Sequence, residues 1–220
     1  MYNSKALPSG NTTLTDSARK VLVNTYILLS GTLMFSAFMT WMSLNATWFA
    51  TGVGAIVTLV VAIVLMFAAM GFRNSWIGIV FTFAFTGLMG ASLGPMVNHY
   101  LGTNGEAVAL ATVMTGGIFV FLSGYTIVTK KDFGGMGNYL FMALILLIIA
   151  MVANIFIQAP MMSLVISYIA AFIFSLFILY DTSEIIHGRE TSYISATINL
   201  YLDILNLFVH LLSILGNSDD

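Results

Sequence analysis

The sequence predicts an all-α integral membrane protein of seven transmembrane helices, with the last helix at the centre. Three observations lead to this fold class. Of the 220 residues, 59% are hydrophobic and only 7% are charged, whereas a soluble domain carries about 25% charged residues. Seven apolar segments each approach the roughly 20 residues that cross a bilayer. The last segment also carries a polar stripe, and that stripe requires protein or water rather than lipid on its face.

The first 20 residues are polar and rich in Ser, Thr and Asn, a composition typical of a flexible terminal segment. The apolar segment that follows has full membrane length and leads into further spans, so it is not a signal peptide. We therefore predict a flexible tail over 1–20 and a single transmembrane domain over 21–216. Thr15 or Asp16 is the predicted N-cap of the first helix.

The seven predicted spans cover residues 21–44, 47–71, 76–98, 107–128, 138–157, 161–186 and 194–215. The breaks between them carry turn-forming residues, such as Gly102-Thr103-Asn104-Gly105 and Ala159-Pro160. In the third span, Gly90 and Gly94 have the spacing of a close helix contact. We interpret this pair as packing rather than as a functional site.

All seven Lys and Arg residues fall on one predicted side of the membrane. They lie in the tail and in the loops after the second, fourth and sixth spans: Lys5, Arg19, Lys20, Arg73, Lys130, Lys131 and Arg189. The opposite side holds Glu106, Asp219 and Asp220. The positive-inside rule then predicts a cytoplasmic N-terminus and an external C-terminus. Since no Lys lies inside an apolar segment, a retinal Schiff base is not expected.

Composition excludes further classes of function. The chain has no cysteine, so disulfides and thiolate metal sites are excluded. The net charge of −2 is uninformative, and no basic patch suggests nucleic-acid binding. No P-loop sequence is present, so coupling to nucleotide hydrolysis is not expected.

The last span, SATINLYLDILNLFVHLLSIL over 195–215, holds the main candidate residues. Its polar residues recur at spacings of three and four and so share one helix face: Ser195, Asn199, Asp203, Asn206, His210 and Ser213. A carboxylate at the centre of a span costs about 2.5–3.5 kcal/mol on insertion, so Asp203 is expected to face protein or water. A second acidic residue, Asp181, ends the preceding span. The other helices are therefore expected to surround the last one.

Asp181 and Asp203 are predicted to meet across consecutive antiparallel helices. Counted from the loop near residue 190, their depths differ by roughly 6 Å at 1.5 Å per residue, which helix tilt can absorb. Two carboxylates near contact share a proton, because both cannot ionise cheaply. Such a pair is a proton-sensitive latch and a weak, transient calcium site. The alternative is that each Asp bonds separately to a neighbouring Ser, Asn or backbone group.

Other residues carry weaker signals. Asn199, Asn206 and His210 are candidates for a pore lining or polar network, because they share the face of Asp203. Histidine can change charge in the physiological range, but a single interior histidine is more often a packing residue. Arg73 and Glu184 are candidates for a charge network on the cytoplasmic side, with ordinary loop solvation as the simpler interpretation.

The chain resembles the Bax inhibitor (transmembrane Bax-inhibitor-motif) family over nearly all seven spans. Three stretches carry the resemblance: FAFTGLMGASLGP (83–95), LYDTSEIIHG (179–188) and YISATINLYLDILNLF (193–208). Three others are similar to the bacterial YccA-like branch of that family: KVLVNTYILLSGTLMFSA (20–37), MVANIFIQAP (151–160) and HLLSILG (210–216). The resemblance implies a seven-helix fold in which six helices surround the last one.

The resemblance also implies a function. Bacterial calcium-leak members of the family use an Asp pair on the sixth and seventh helices as a pH sensor, and Asp181 and Asp203 match those positions. YccA-like proteins are linked to the membrane protease FtsH, as inhibitors or slow substrates acting partly through a cytoplasmic N-terminal tail. We therefore expect a pH-sensitive passive calcium or cation leak in a bacterial inner membrane, with regulation of FtsH as the alternative.

Enzymatic activity is not expected. Tyr180-Asp181 matches the YD motif of intramembrane aspartyl proteases, but their GxGD motif is absent, since the second Asp lies in Tyr201-Leu202-Asp203. No cofactor is expected apart from calcium as a permeant ion. The expected partners are the lipid bilayer, calcium ions and FtsH.

Overall fold

A computed structural model of the chain describes residues 14–217. These residues form long helices joined by short turns, and no strand occurs among them. The long helices are α1 Asp16–Met42, α2 Gly52–Gly71, α3 Trp76–Thr103, α4 Gly105–Thr129, α5 Gly137–Ile157, α6 Pro160–Ile186 and α7 Tyr193–Gly216. All seven are long and apolar enough to cross a membrane. The predicted all-α, seven-span fold class is confirmed.

The helices begin where capping residues allow them to. Thr15 caps α1, because its side chain accepts a hydrogen bond from the backbone N–H of Ala18 at 3.3 Å. Residues 16–20, predicted as the end of the flexible tail, are therefore the first turns of α1. The rest of that tail, residues 1–13, lies outside the described part of the chain, as do Asp219 and Asp220.

The second helix begins at Gly52 rather than at residue 47. A 3-10 turn, Thr47–Ala50, precedes it. The Thr51 side chain then accepts a hydrogen bond from the backbone N–H of Gly54 at 3.0 Å and caps the helix. The apolar composition of this stretch hid the turn, because hydropathy does not distinguish a 3-10 turn from a helix start.

The last helix, α7, is central. It packs against α1, α2, α3, α4 and α6, and its largest buried side chains include Tyr201, Leu207 and Leu212. In the described structure α5 packs against α6 and the 3-10 turn Gly134–Met136, but not against α7. Five helices therefore surround α7, not the six that the resemblance implies, and a gap remains between α5 and α7.

Small residues bring α1 and α3 together. Gly90 and Gly94 of α3 lie against the backbone of Ser36 in α1 and of Ser43 directly after α1, so a Cβ at either glycine would overlap that backbone. The predicted GxxxG packing contact is confirmed.

The same contact satisfies a carbonyl that Pro95 leaves free within α3. Proline has no backbone N–H, so the carbonyl of Ala91 lacks its donor within the helix. The Ser43 hydroxyl donates to that carbonyl at 2.8 Å. A proline inside a buried span is tolerated here because α1 supplies the missing hydrogen bond.

Candidate functional site between α6 and α7

A short turn places the end of α6 beside the start of α7. Gly188 adopts a left-handed backbone conformation, with φ of 72°, which glycine accepts without strain. The Ser192 side chain then accepts a hydrogen bond from the backbone N–H of Ser195 at 3.3 Å and caps α7. The antiparallel arrangement brings residues near 180 of α6 alongside residues near 200 of α7.

The side chains of Asp181 and Asp203 face the same cavity and lie close enough to interact. Asp203 is only 5% exposed, and Asp181 is partly buried. The Oδ2 atom of Asp203 is buried and accepts no hydrogen bond from the described residues. This geometry favours a carboxyl pair over separate bonds to Ser, Asn or backbone groups, and a shared proton would give the pair its hydrogen bond.

Two cavities border Asp181. The larger, of about 440 Å³, occupies the gap between α5 and α7 and is lined by both Asp residues, Asn199, Asn206 and apolar side chains of α5 and α6. The smaller, of about 150 Å³, lies at the α6–α7 turn, and its lining includes Glu184 and Arg189. Asp181 and Asn199 line both cavities, so they stand between the turn and the interior of the bundle.

The stripe residues differ in their surroundings. Asn199, Asp203 and Asn206 line the larger cavity, and the amide of Asn206 donates to the carbonyl of Leu202 at 2.7 Å. His210 lies outside both cavities. It is buried, with its Nδ1 3.4 Å from the Ser167 hydroxyl and its ring stacked on Phe174. This environment is that of a packing residue.

Glu184 belongs to a charge network, but its basic partner is Arg189 rather than Arg73. The Nε of Arg189 donates to Oε1 of Glu184 at 2.6 Å, and its Nη2 donates to Oδ1 of Asp132 at 2.6 Å. Asp132 lies in the α4–α5 loop, so Arg189 links that loop to the α6–α7 turn. Arg73 is exposed after α2 and forms no ion pair with a described residue.

Asp132 is a site residue that the sequence analysis missed. The Arg189 guanidinium and the backbone N–H of Gly134 lower the pKa of the Asp132 carboxyl to about 2. The Asp132 carboxylate in turn raises the pKa of Arg189. Gly134 makes room for the guanidinium, since a Cβ there would lie 2.5 Å from it. The local signal for this contact is an acidic residue two positions before the glycine-rich stretch 134–137.

Fold and site together define a multi-pass membrane protein in which a carboxyl of the central helix α7, Asp203, lies beside a carboxyl of α6, Asp181, at the border of two cavities. Comparison with known proteins adds the family. The sequence model described as "Inhibitor of apoptosis-promoting Bax1" matches residues 18–220, and the chain belongs to this Bax inhibitor family.

Full-length bacterial relatives agree with that family. The chain is 50% identical over 209 residues to an uncharacterized membrane protein of Vibrio cholerae, covering 91% of this chain and 92% of the relative. It is 45% identical over 201 residues to the modulator of FtsH protease YccA of Escherichia coli K12, covering 91% of each. It is 40% identical over 198 residues to an uncharacterized protein of Pseudomonas aeruginosa, covering 89% and 88%.

The predicted family and its YccA-like branch are therefore confirmed. YccA of another Escherichia coli strain carries the name inner membrane protein, and together with the seven apolar helices this supports a multi-pass protein of the bacterial inner membrane. The relatives named above are called a modulator, membrane proteins and an uncharacterized protein, and none of these names is that of an enzyme.

Proposed function

We propose that the chain modulates a membrane protease of the FtsH type. The observation that carries this proposal is the 45% identity, across 91% of both chains, to a protein named as a modulator of FtsH protease. In the predicted orientation, the tail and the loops after α2, α4 and α6 face the cytoplasm. The basic residues that these segments place in the described structure are exposed: Arg19, Lys20, Arg73, Lys130, Lys131 and Arg189.

The fold supports inhibition by slow unfolding. A protease that pulls on the N-terminal tail loads α1 directly, and α1 is held by α3 and α7. Hydrogen bonds cross both contacts, from Ser36 to Tyr201 at 2.8 Å and from Thr40 to the carbonyl of Gly90 at 2.8 Å. A chain that is engaged through its tail but resists extraction occupies the protease and slows the degradation of other substrates.

The experiment measures degradation of a reference membrane substrate by FtsH in proteoliposomes, with and without this protein. We expect the full chain to slow degradation severalfold. Deletion of residues 2–14 is expected to remove most of that inhibition, because the segment that the protease engages is absent. Deletion of residues 218–220, on the opposite predicted side, is the matched control. Equal inhibition by the full chain and the tail deletion would refute this mechanism.

A second function, a pH-sensitive cation leak, is favoured by the position of Asp181 between the two cavities. When Asp181 and Asp203 share a proton, they bridge α6 and α7. When the proton is lost, two negative charges face each other in a low-dielectric site and repel. The helices then separate and offer carboxylate and amide oxygens to a passing cation, such as calcium. Acid therefore closes the path, and alkaline conditions open it.

The role of the Asp181–Asp203 pair is tested by calcium flux through the purified protein in liposomes, measured across pH. Asp203→Asn keeps the side-chain shape but removes the second charge, so we expect a flattened pH profile with near-normal expression. Asp181→Asn is expected to do the same, and the double variant to add little, because the pair acts as one unit. His210→Gln is the matched control, since it removes a titratable group of the same helix outside both cavities. If Asp181→Asn and Asp203→Asn retain the wild-type pH profile, the Asp pair is excluded as the pH sensor.

A further inference from the structure

A groove on the other side of α7 is distinct from the two cavities at Asp181. It measures about 380 Å³, and α7 forms its floor through residues that include Ile204 and Leu205. Leu33 and Ala37 of α1 form one wall, and Val108 and Gly116 of α4 form the other. From this geometry we propose that the groove binds an acyl chain of a membrane phospholipid.

The groove exists because α1 and α4 both pack against α7 but hardly meet each other. They touch at one end, where the rings of Tyr26 and Phe119 lie 5.8 Å apart between centroids. Beyond that contact the two helices diverge, and the groove lies between them over α7, with Leu93 and Val97 of α3 also in its lining. Exposed apolar side chains flank both walls, including Met34 at 76% and Val113 at 71% exposure, so the groove opens onto the lipid-facing surface.

The polar groups of the groove need no further partner. The Tyr201 hydroxyl donates to the carbonyl of Thr86 at 3.0 Å. Its single proton is then used, so the Ser36 hydroxyl is the donor in their 2.8 Å contact. The other hydroxyls of the lining donate to backbone carbonyls within hydrogen-bond distance: Thr40, Thr112 and Thr115. A surface whose donors are satisfied favours an apolar occupant over water or a cation.

Size selects a hydrocarbon chain among apolar occupants. A methylene group is close in size to a water molecule, whose share of liquid volume is about 30 Å³, so the groove of about 380 Å³ accepts roughly a dozen chain carbons. A helix with its side chains is about 10–12 Å across, so the groove holds less than one turn of a partner helix. An unfilled groove at bilayer depth would forfeit the dispersion contacts of its lining.

The groove lies in one half of the bilayer. Its α1 residues come from the second half of that helix and its α4 residues from the first half. Because consecutive spans run in alternating directions, these halves lie at the same end of the bundle. In the predicted orientation that end is external, so the acyl chain comes from the external leaflet.

Photocrosslinking tests the proposal. The protein is reconstituted in vesicles of dioleoylphosphatidylglycerol and dioleoylphosphatidylcholine with a small fraction of phosphatidylcholine that carries a diazirine in mid-chain. After illumination, labelled peptides are mapped by mass spectrometry. We expect label on residues 201–208 of α7, because Ile204 and Leu205 are only 8% and 7% exposed and lipids outside the groove do not reach them. Label confined to outward-facing residues such as Val113 would overturn the proposal.

Two glycines of α4 provide a matched pair of variants. A Cβ added at Gly116 or at Gly117 meets no atom within 4 Å, but Gly117 does not belong to the groove lining. Gly116→Phe is expected to fill the groove and reduce labelling of 201–208 severalfold, whereas Gly117→Phe leaves it near the wild-type level. Ala37→Phe blocks the groove from the α1 wall and serves if Gly116→Phe does not fold. Unchanged labelling in every folded groove variant would also refute the proposal.

Discussion

Gly90 lies where the backbones of α1 and α3 meet, and its missing side chain makes that contact possible. Gly90→Ala is expected to destabilise the protein by about 1–3 kcal/mol, the usual effect of overpacking, because the new Cβ would overlap the Ser36 backbone. Denaturation in detergent measures the change. Gly102→Ala, in the same helix but with no atom within 4 Å of the new Cβ, is the control and is expected to be neutral or slightly stabilising.

The same substitution bears on protease regulation. If resistance of α1 to extraction underlies inhibition, Gly90→Ala is expected to be degraded by FtsH faster than the wild type, while Gly102→Ala is not. Equal stability of the two alanine variants in detergent would contradict the packing argument itself.

Single residues were predictable where one helix carried the pattern. The stripe with Asp203 repeats at helical spacing, so periodicity alone separates it from the lipid-facing side. Asp132 had no such pattern, because its partner Arg189 is 57 positions away and the contact forms only when α5 and α6 reverse the chain. Charge alone likewise did not distinguish Arg189, which is in the network, from Arg73, which is not.

The link between the α4–α5 loop and the α6–α7 turn gives a prediction about these two segments. Asp132→Asn removes an exposed ion pair, so global stability should change by only about 0–1 kcal/mol. The loop itself should loosen, because the ion pair is one of its ties to the α6–α7 region, beside the bond that the Phe133 backbone N–H donates to Ser183 at 2.9 Å. We expect trypsin to cleave after the exposed Lys130 and Lys131 severalfold faster, with Glu106→Gln as the control. Unchanged cleavage would show that the ion pair does not hold the loop.

The pH dependence of this link has a definite sign. The folded protein lowers the pKa of Asp132 from its ordinary value of 3.8 to about 2. A lowered carboxyl pKa contributes stability that is present above the unfolded value and is lost as pH falls towards the folded value. The ion pair is therefore intact from about pH 4 upwards. Because Asp132 stays ionised above about pH 4, Asp132→Asn is expected to leave the pH profile of any calcium flux above that pH unchanged.

The existence and order of the helices were predictable from the sequence, whereas the packing of one helix against another was not. A membrane span is recorded in its own sequence as an apolar segment of fixed length, so the seven helices follow from hydropathy and turn residues. The position of α5 outside the ring around α7 depends on shape complementarity between distant segments, which hydropathy does not encode. The larger cavity at the Asp pair is a consequence of that position.

The charges of the chain predict its orientation in the membrane. A reporter fused after Asp220 is expected to be external, and one inserted in the 130–137 loop cytoplasmic, because the six basic residues in the described part of the chain lie at one end of the bundle. Alkaline phosphatase and green fluorescent protein fusions report the two sides. A cytoplasmic C-terminus would overturn both the charge argument and the assignment of the acyl-chain groove to the external leaflet.

The central position of α7 has a consequence for biosynthesis. A chain made from its N-terminus places six spans in the membrane before the helix that joins them exists. The most apolar span, α5, is also the one with the fewest helix neighbours, which suits a segment that must remain in lipid with little support. The polar stripe of α7 emerges last, when Asp181 and Ser167 of α6 are already available to receive it. Because α7 is synthesised after its neighbours, the carboxyl of Asp203 is exposed to hydrocarbon only briefly.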